Sequence, residues 1–123
     1  MINLNNRVQY SKLAFLILAW IFTVCLVAQT FIAGLAIFNS SSHWVHHTTF
    51  VVWFQFLPII MLVLSFTGQF PKLIRWKVVG LFLLIVPLQY MSVNILGLGA
   101  IHPVIALVLF WLALNVIKNT EKI

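Results

Sequence analysis

Acidic side chains are almost missing from this sequence: it has no aspartate, and its one glutamate is Glu121, near the carboxyl terminus. Hydrolytic and acyl-transfer chemistry therefore finds no support, and neither a GxSxG nor an HExxH motif occurs. Proton-coupled transport, which leans on acids or cations inside the membrane, is disfavoured for the same reason. Cysteine is nearly as scarce. Cys25 stands alone, so there is no disulfide framework, no CxxC pair and no CxxCH motif for covalent haem attachment. It reads as a small packing residue in an apolar helix. Charge of either sign is low, at 7% of residues against about 25% in soluble domains, which excludes an ordinary soluble fold.

What fills the chain instead is apolar: 63% of its 123 residues are hydrophobic. No charged residue falls between Lys12 and Lys72, or between Lys77 and Lys118. A bilayer core takes about 20 apolar residues per helix, so each stretch accommodates two spans and a turn. The expectation is an all-α integral membrane protein, a single antiparallel four-helix bundle, with spans at about 11–38, 47–67, 78–95 and 102–117. The uncharged run of 13–38 is longer than a signal-peptide core of about 7 to 15 residues, and it reads as a retained first helix. Asn39 to Ser42 and Gly97 to Ala100 read as polar or tight turns, and 69–77 as the loop between the hairpins. Pro58 is expected to bend the second helix, and Pro103 to open the fourth.

The polar residues divide by side. Arg7, Lys12, Lys72, Arg75, Lys77, Lys118 and Lys122 all fall on one side of such a bundle, and His43, His46, His47 and His102 on the other. The positive-inside bias then places both termini in the cytoplasm and the histidines outside. The formal charge of +6 suits orientation and anionic headgroups better than nucleic acid, for which a basic stripe is lacking.

Histidine is the side chain best able to hold a metal or haem iron, or to move a proton near neutral pH. His47 and His102, each at the outer start of a helix, are the candidate axial ligands of a haem b. Helices two and four, if diagonal, would leave room in the core for such a cofactor. The pairing requires His47 and His102 to lie within about 15 Å at Cα. Gln29 and Gln89, within the first and third spans, are candidates to orient the histidines or to bond haem propionates. With Gln55 they could equally be interhelical glue. A haem held so near the outer face would exchange electrons with a quinone or redox protein there. It could not alone carry them across the membrane.

Two other classes stay open. His43, His46 and His47 have i, i+3 and i+4 spacing, so one helical turn could offer imidazoles to copper or zinc, with His102 completing the set. Alternatively the chain is a non-enzymatic accessory or assembly subunit of a larger complex, or a homo-oligomer, for which its five tryptophans and eleven phenylalanines supply contact surface. Uncoordinated rings in the headgroup zone are the plain alternative for every histidine.

The stretch Gln29-Thr30-Phe31-Ile32-Ala33-Gly34-Leu35-Ala36-Ile37-Phe38, a histidine opening helix two, Gln89, and Leu98-Gly99-Ala100-Ile101-His102-Pro103-Val104 resemble a family of small bacterial four-helix membrane proteins catalogued as domain of unknown function 6220. The resemblance covers most of the chain. It implies a bacterial inner-membrane protein without implying an activity, and it leaves His46 and His47 both eligible as the second-helix histidine. The plan is also similar, more loosely, to four-helix b-type cytochromes.

Overall fold

The computed structural model describes residues 3–123, which form helices joined by short turns. The elements are α1 (Leu4–Phe38), α2 (His43–Phe54), α3 (Leu57–Thr67), α4 (Lys72–Leu83), a π-helical segment (Leu84–Leu88), α5 (Gln89–Asn94) and α6 (Ile101–Glu121). Taken in pairs where a proline interrupts them, they make four spans, Leu4–Phe38, His43–Thr67, Lys72–Asn94 and Ile101–Glu121. Each is long and apolar enough to cross a membrane. The chain is a multi-pass membrane protein built as a four-helix bundle.

The helices outrun the apolar segments that betray them. Helix α1 starts at Leu4, where Asn3 Oδ1 accepts from Asn6 N at 3.0 Å and caps the first turn. Helix α4 starts at Lys72, so Lys72, Arg75 and Lys77 stand on its first turns and not in a loop. Helix α6 continues to Glu121. Hydropathy marks where a helix meets lipid, whereas backbone hydrogen bonding continues into water for as long as residues such as Asn, Gln, Lys and Arg allow it.

Both interior prolines interrupt their spans, because each lacks the N–H that would bond four residues back. Pro58 stands in the first turn of α3, after a break at Gln55 and Phe56. Pro87 lies inside the π-helical segment, after which Gln89 N–H reaches back to Leu84 O. At the end of α3, Gln69 takes a left-handed φ of 55°, with Phe70 N bonding Ser65 O and Gln69 N bonding Phe66 O. Gly68 precedes it because a Cβ there would sit 3.0 Å from Leu64 O.

Helix α1 packs on α2, α3 and α6, and α4 packs on α3 and α6. The second and fourth spans are thus each flanked by the first and third. Along α1 the buried residues include Ser11, Phe15, Ala19, Phe22 and Leu26, the three-and-four spacing of a helix facing a bundle core. Met61 and Ser65, then Val78, Leu81 and Ile85, then Leu109, Ala113 and Val116 complete that core. Phe15 meets Phe70 edge to face at 4.5 Å, and Phe22 meets Phe54 likewise at 5.9 Å. Lipid offers no hydrophobic drive between helices, so close dispersion packing around small residues such as Ala19, Ser65 and Ala113 has to hold the bundle. Thr67 Oγ1 donates to Ser11 Oγ at 2.8 Å, and Lys77 Nζ to Asn115 Oδ1 at 2.5 Å, tying the end that carries the cations. Large apolar side chains on the other faces stay exposed, Trp53 at 80% and Phe38 at 89%, where lipid would cover them.

Candidate functional site

One or two turns beyond Leu26, Phe54, Ile85 and Leu109, the apolar core gives way to polar side chains contributed by all four spans. His47 lies in the second turn of α2 because the helix begins at His43. Its ring Nδ1 is 3.1 Å from the Gln29 carbonyl oxygen, and Gln29 Nε2 donates to His47 O at 2.7 Å. Trp44, three residues earlier, packs edge to face on the His47 ring at 5.6 Å.

His102, the second residue of α6, has its Nδ1 3.2 Å from Ser92 Oγ. The Ser92 hydroxyl proton is already committed to Gln89 O, at 2.7 Å. The tautomers follow from these partners. A carbonyl can only accept, so His47 carries its proton on Nδ1. Ser92 has no second proton to give, so His102 does the same. A neutral ring with its proton on Nδ1 keeps its lone pair on Nε2.

The two rings meet across the bundle, with centroids 6.3 Å apart and planes inclined by 60°. Two imidazoles bound to opposite sides of one metal, each at about 2 Å, have centroids roughly 6 Å apart. As bare rings they make an edge-to-face contact. Either way, His47 and His102 are well within the reach that a shared ligand requires.

Gln29 and Gln89 join this layer with an unusual deficit. The Oε1 atoms of both are buried and have no hydrogen-bond partner among the described residues. Native proteins leave few such groups. Since Gln29 Nε2 is engaged by His47 O, the atom that Gln29 offers to a ligand is an acceptor, which suits a donor or a cation and not a propionate. Gln55 is different: buried to 8% exposure, it accepts from Tyr90 Oη at 2.9 Å and is interhelical glue.

The four histidines divide into two pairs. His43 and His46 bring their Nδ1 atoms to 3.3 Å on the first turn of α2, with His46 exposed. Among the described residues no group of three or more metal-ligating side chains assembles, so the three- or four-imidazole set that the spacing allowed does not form. Of the two adjacent histidines, His47 is the one that meets His102. Sequence reasoning passed over Ser92, whose signal is its place one helical turn after Gln89, and Trp44, whose signal is its place one turn before His47.

A family model described as "Family of unknown function (DUF6220)" matches residues 29–95, just over half of the chain. It opens on Gln29, contains His47 and Gln89, and ends before His102. No curated protein and no solved structure matches the chain.

Proposed function

We propose, for a chain that belongs to the DUF6220 family of unknown function, that the working part is the His47–His102 pair and that it holds the iron of a haem b for single-electron transfer. One observation carries this reading: the rings stand 6.3 Å apart with both Nδ1 atoms engaged, which leaves Nε2 of each for a metal. Haem held by two histidines supplies one-electron ferric–ferrous chemistry and asks for no protein acid or base. That suits a site without a carboxylate.

The residues of the chain do the positioning. Gln29 O orients His47 and Ser92 Oγ orients His102, the outer-shell bonds that fix ring direction and raise ligand basicity. Phe22, Leu26, Phe54 and Leu109, all buried, close the site toward the centre of the bundle. The unpartnered Oε1 atoms of Gln29 and Gln89 favour positive charge beside the rings.

In this reading the bundle is antiparallel and lies in a bacterial inner membrane. Its seven basic residues, and both termini, face the cytoplasm. The histidine pair would then hold the haem near the extracytoplasmic face, where a quinone or a redox protein would be its electron partner. In a Cys25→Ser background, Ser41→Cys should label in intact cells with an impermeant maleimide, and Lys118→Cys only after the cells are opened. Labelling of Lys118→Cys in intact cells, or of both variants only after opening, would sink the orientation.

The deciding experiment is an absorption spectrum of detergent-solubilised protein produced with ample haem, oxidised and then reduced with dithionite. A stoichiometric Soret band with sharp reduced α and β bands, lost in His47→Ala and in His102→Ala, is expected. A featureless spectrum would overturn the haem reading.

A further inference from the structure

His43 and His46 form a second pair, separate from the one that faces the bundle. They lie three residues apart on the first turn of α2, so their side chains share one helix face. Their ring centroids are 5.4 Å apart, and their Nδ1 atoms approach to 3.3 Å. Two nitrogens bound to one tetrahedral ion, each at about 2.0 to 2.1 Å, lie roughly 3.3 Å from one another. The gap between these nitrogens is therefore the bite of a chelate, already set by the backbone of a single helical turn.

We propose that His43 and His46 chelate a divalent first-row transition cation, zinc or its neighbours, through their Nδ1 atoms. Imidazole selects this class over magnesium and calcium, which require oxygen ligands. With the cation absent, one Nδ1–H donates to the other Nδ1. On binding, that proton is carried on Nε2 of the same ring, so both Nδ1 atoms present lone pairs. Water fills the remaining positions. His46 is exposed and His43 half-buried, so a cation reaches them without passing the His47–His102 layer. The site stands whether or not that layer binds haem.

The test is competition for Zn²⁺ against a chromophoric chelator, using untagged, full-length protein in detergent with millimolar Mg²⁺ present. Wild-type protein should withdraw one equivalent. His43→Ala and His46→Ala should each weaken that binding by about ten-fold or more, while His102→Ala keeps it. Circular dichroism of each variant should show an unchanged helix content, since both substitutions fall in the first turn of a helix. Absence of stoichiometric uptake by the wild type, or uptake that survives both single substitutions, would overturn the proposal. So would uptake lost in His102→Ala alone. Because the readout is zinc and not absorbance of haem, failure here and failure of the haem reading are told apart.

Discussion

Gln29 and His47 clasp one another in both directions: the glutamine side chain donates to the histidine carbonyl at 2.7 Å, and the histidine ring bonds the glutamine carbonyl at 3.1 Å. The clasp joins α1 to α2 and sets the direction of the ring with main-chain atoms on one side of each bond. It divides cleanly under mutation. His47→Ala keeps the carbonyl that Gln29 grips and loses the ring bond, a cost of about 1 kcal/mol, together with the ring's contacts to Trp44 and His102. The expected result is a thermal midpoint a few degrees lower with unchanged helix content by circular dichroism. A collapse of helicity would mean that the ring is structural and that its loss says nothing about a ligand.

Ser92 holds His102 through one hydroxyl that also donates to Gln89 O. Ser92→Ala removes the acceptor of His102 Nδ1–H and leaves the packing of α5 intact. Affinity for the bound group should fall about ten-fold, and Ser92→Thr, which restores a hydroxyl, should recover it. Equal affinity in serine and alanine forms, measured by titration of the purified apoprotein with haem, would refute a positioning role.

Gln89 Oε1 is the cleaner of the two unpartnered acceptors, since Gln29 also spends its amide on His47. An unsatisfied buried acceptor costs about 1–3 kcal/mol. Gln89→Met, which fills similar volume without a polar atom, should therefore raise the stability of the ligand-free protein by about 1 kcal/mol. It should weaken ligand retention at the same time. Lower stability of the ligand-free methionine variant in chemical denaturation would show that Gln89 is already satisfied, for instance by water.

Pro87 lies in the π-helical segment that precedes Gln89 and Ser92. Segments of this kind persist where tertiary packing or function holds them, and here the missing N–H of proline favours the wider turn. Pro87→Ala restores the donor and relaxes the segment toward α-helix, which rotates Gln89 and Ser92 relative to His102. The fold should survive with equal or greater thermal stability, while the bound group is retained less well. Unchanged retention in the same absorption assay would show that the wide turn is incidental to the site.

The site was legible only in part before the bundle was assembled. His47, His102, Gln29 and Gln89 stand out because polar residues are rare in an apolar chain and each lies on a different span. That His47 faces inward and His46 does not depends on where α2 begins. Its start at His43 sets the rotation of every later residue. Ser92 was invisible as a site residue, because one hydroxyl in a membrane helix reads as a self-satisfied group until a neighbouring helix brings an imidazole to it.

By itself the sequence determined the class of the protein. Charge-free runs of this length can only be satisfied as helices in lipid, since no other element closes its own backbone hydrogen bonds there. The prolines and the polar turns marked the interruptions, and the separation of cations from histidines is a property of the chain alone. The tertiary structure decided what those residues do together. Helix ends, the wide turn at Pro87 and the placing of the second and fourth spans between the first and third arise from packing, in which small residues set how closely helices approach. Those same contacts split four histidines into a pair that meets across the bundle, His47 and His102, and a pair on one helical turn with facing Nδ1 atoms, His43 and His46, a distinction that spacing along one helix could not make.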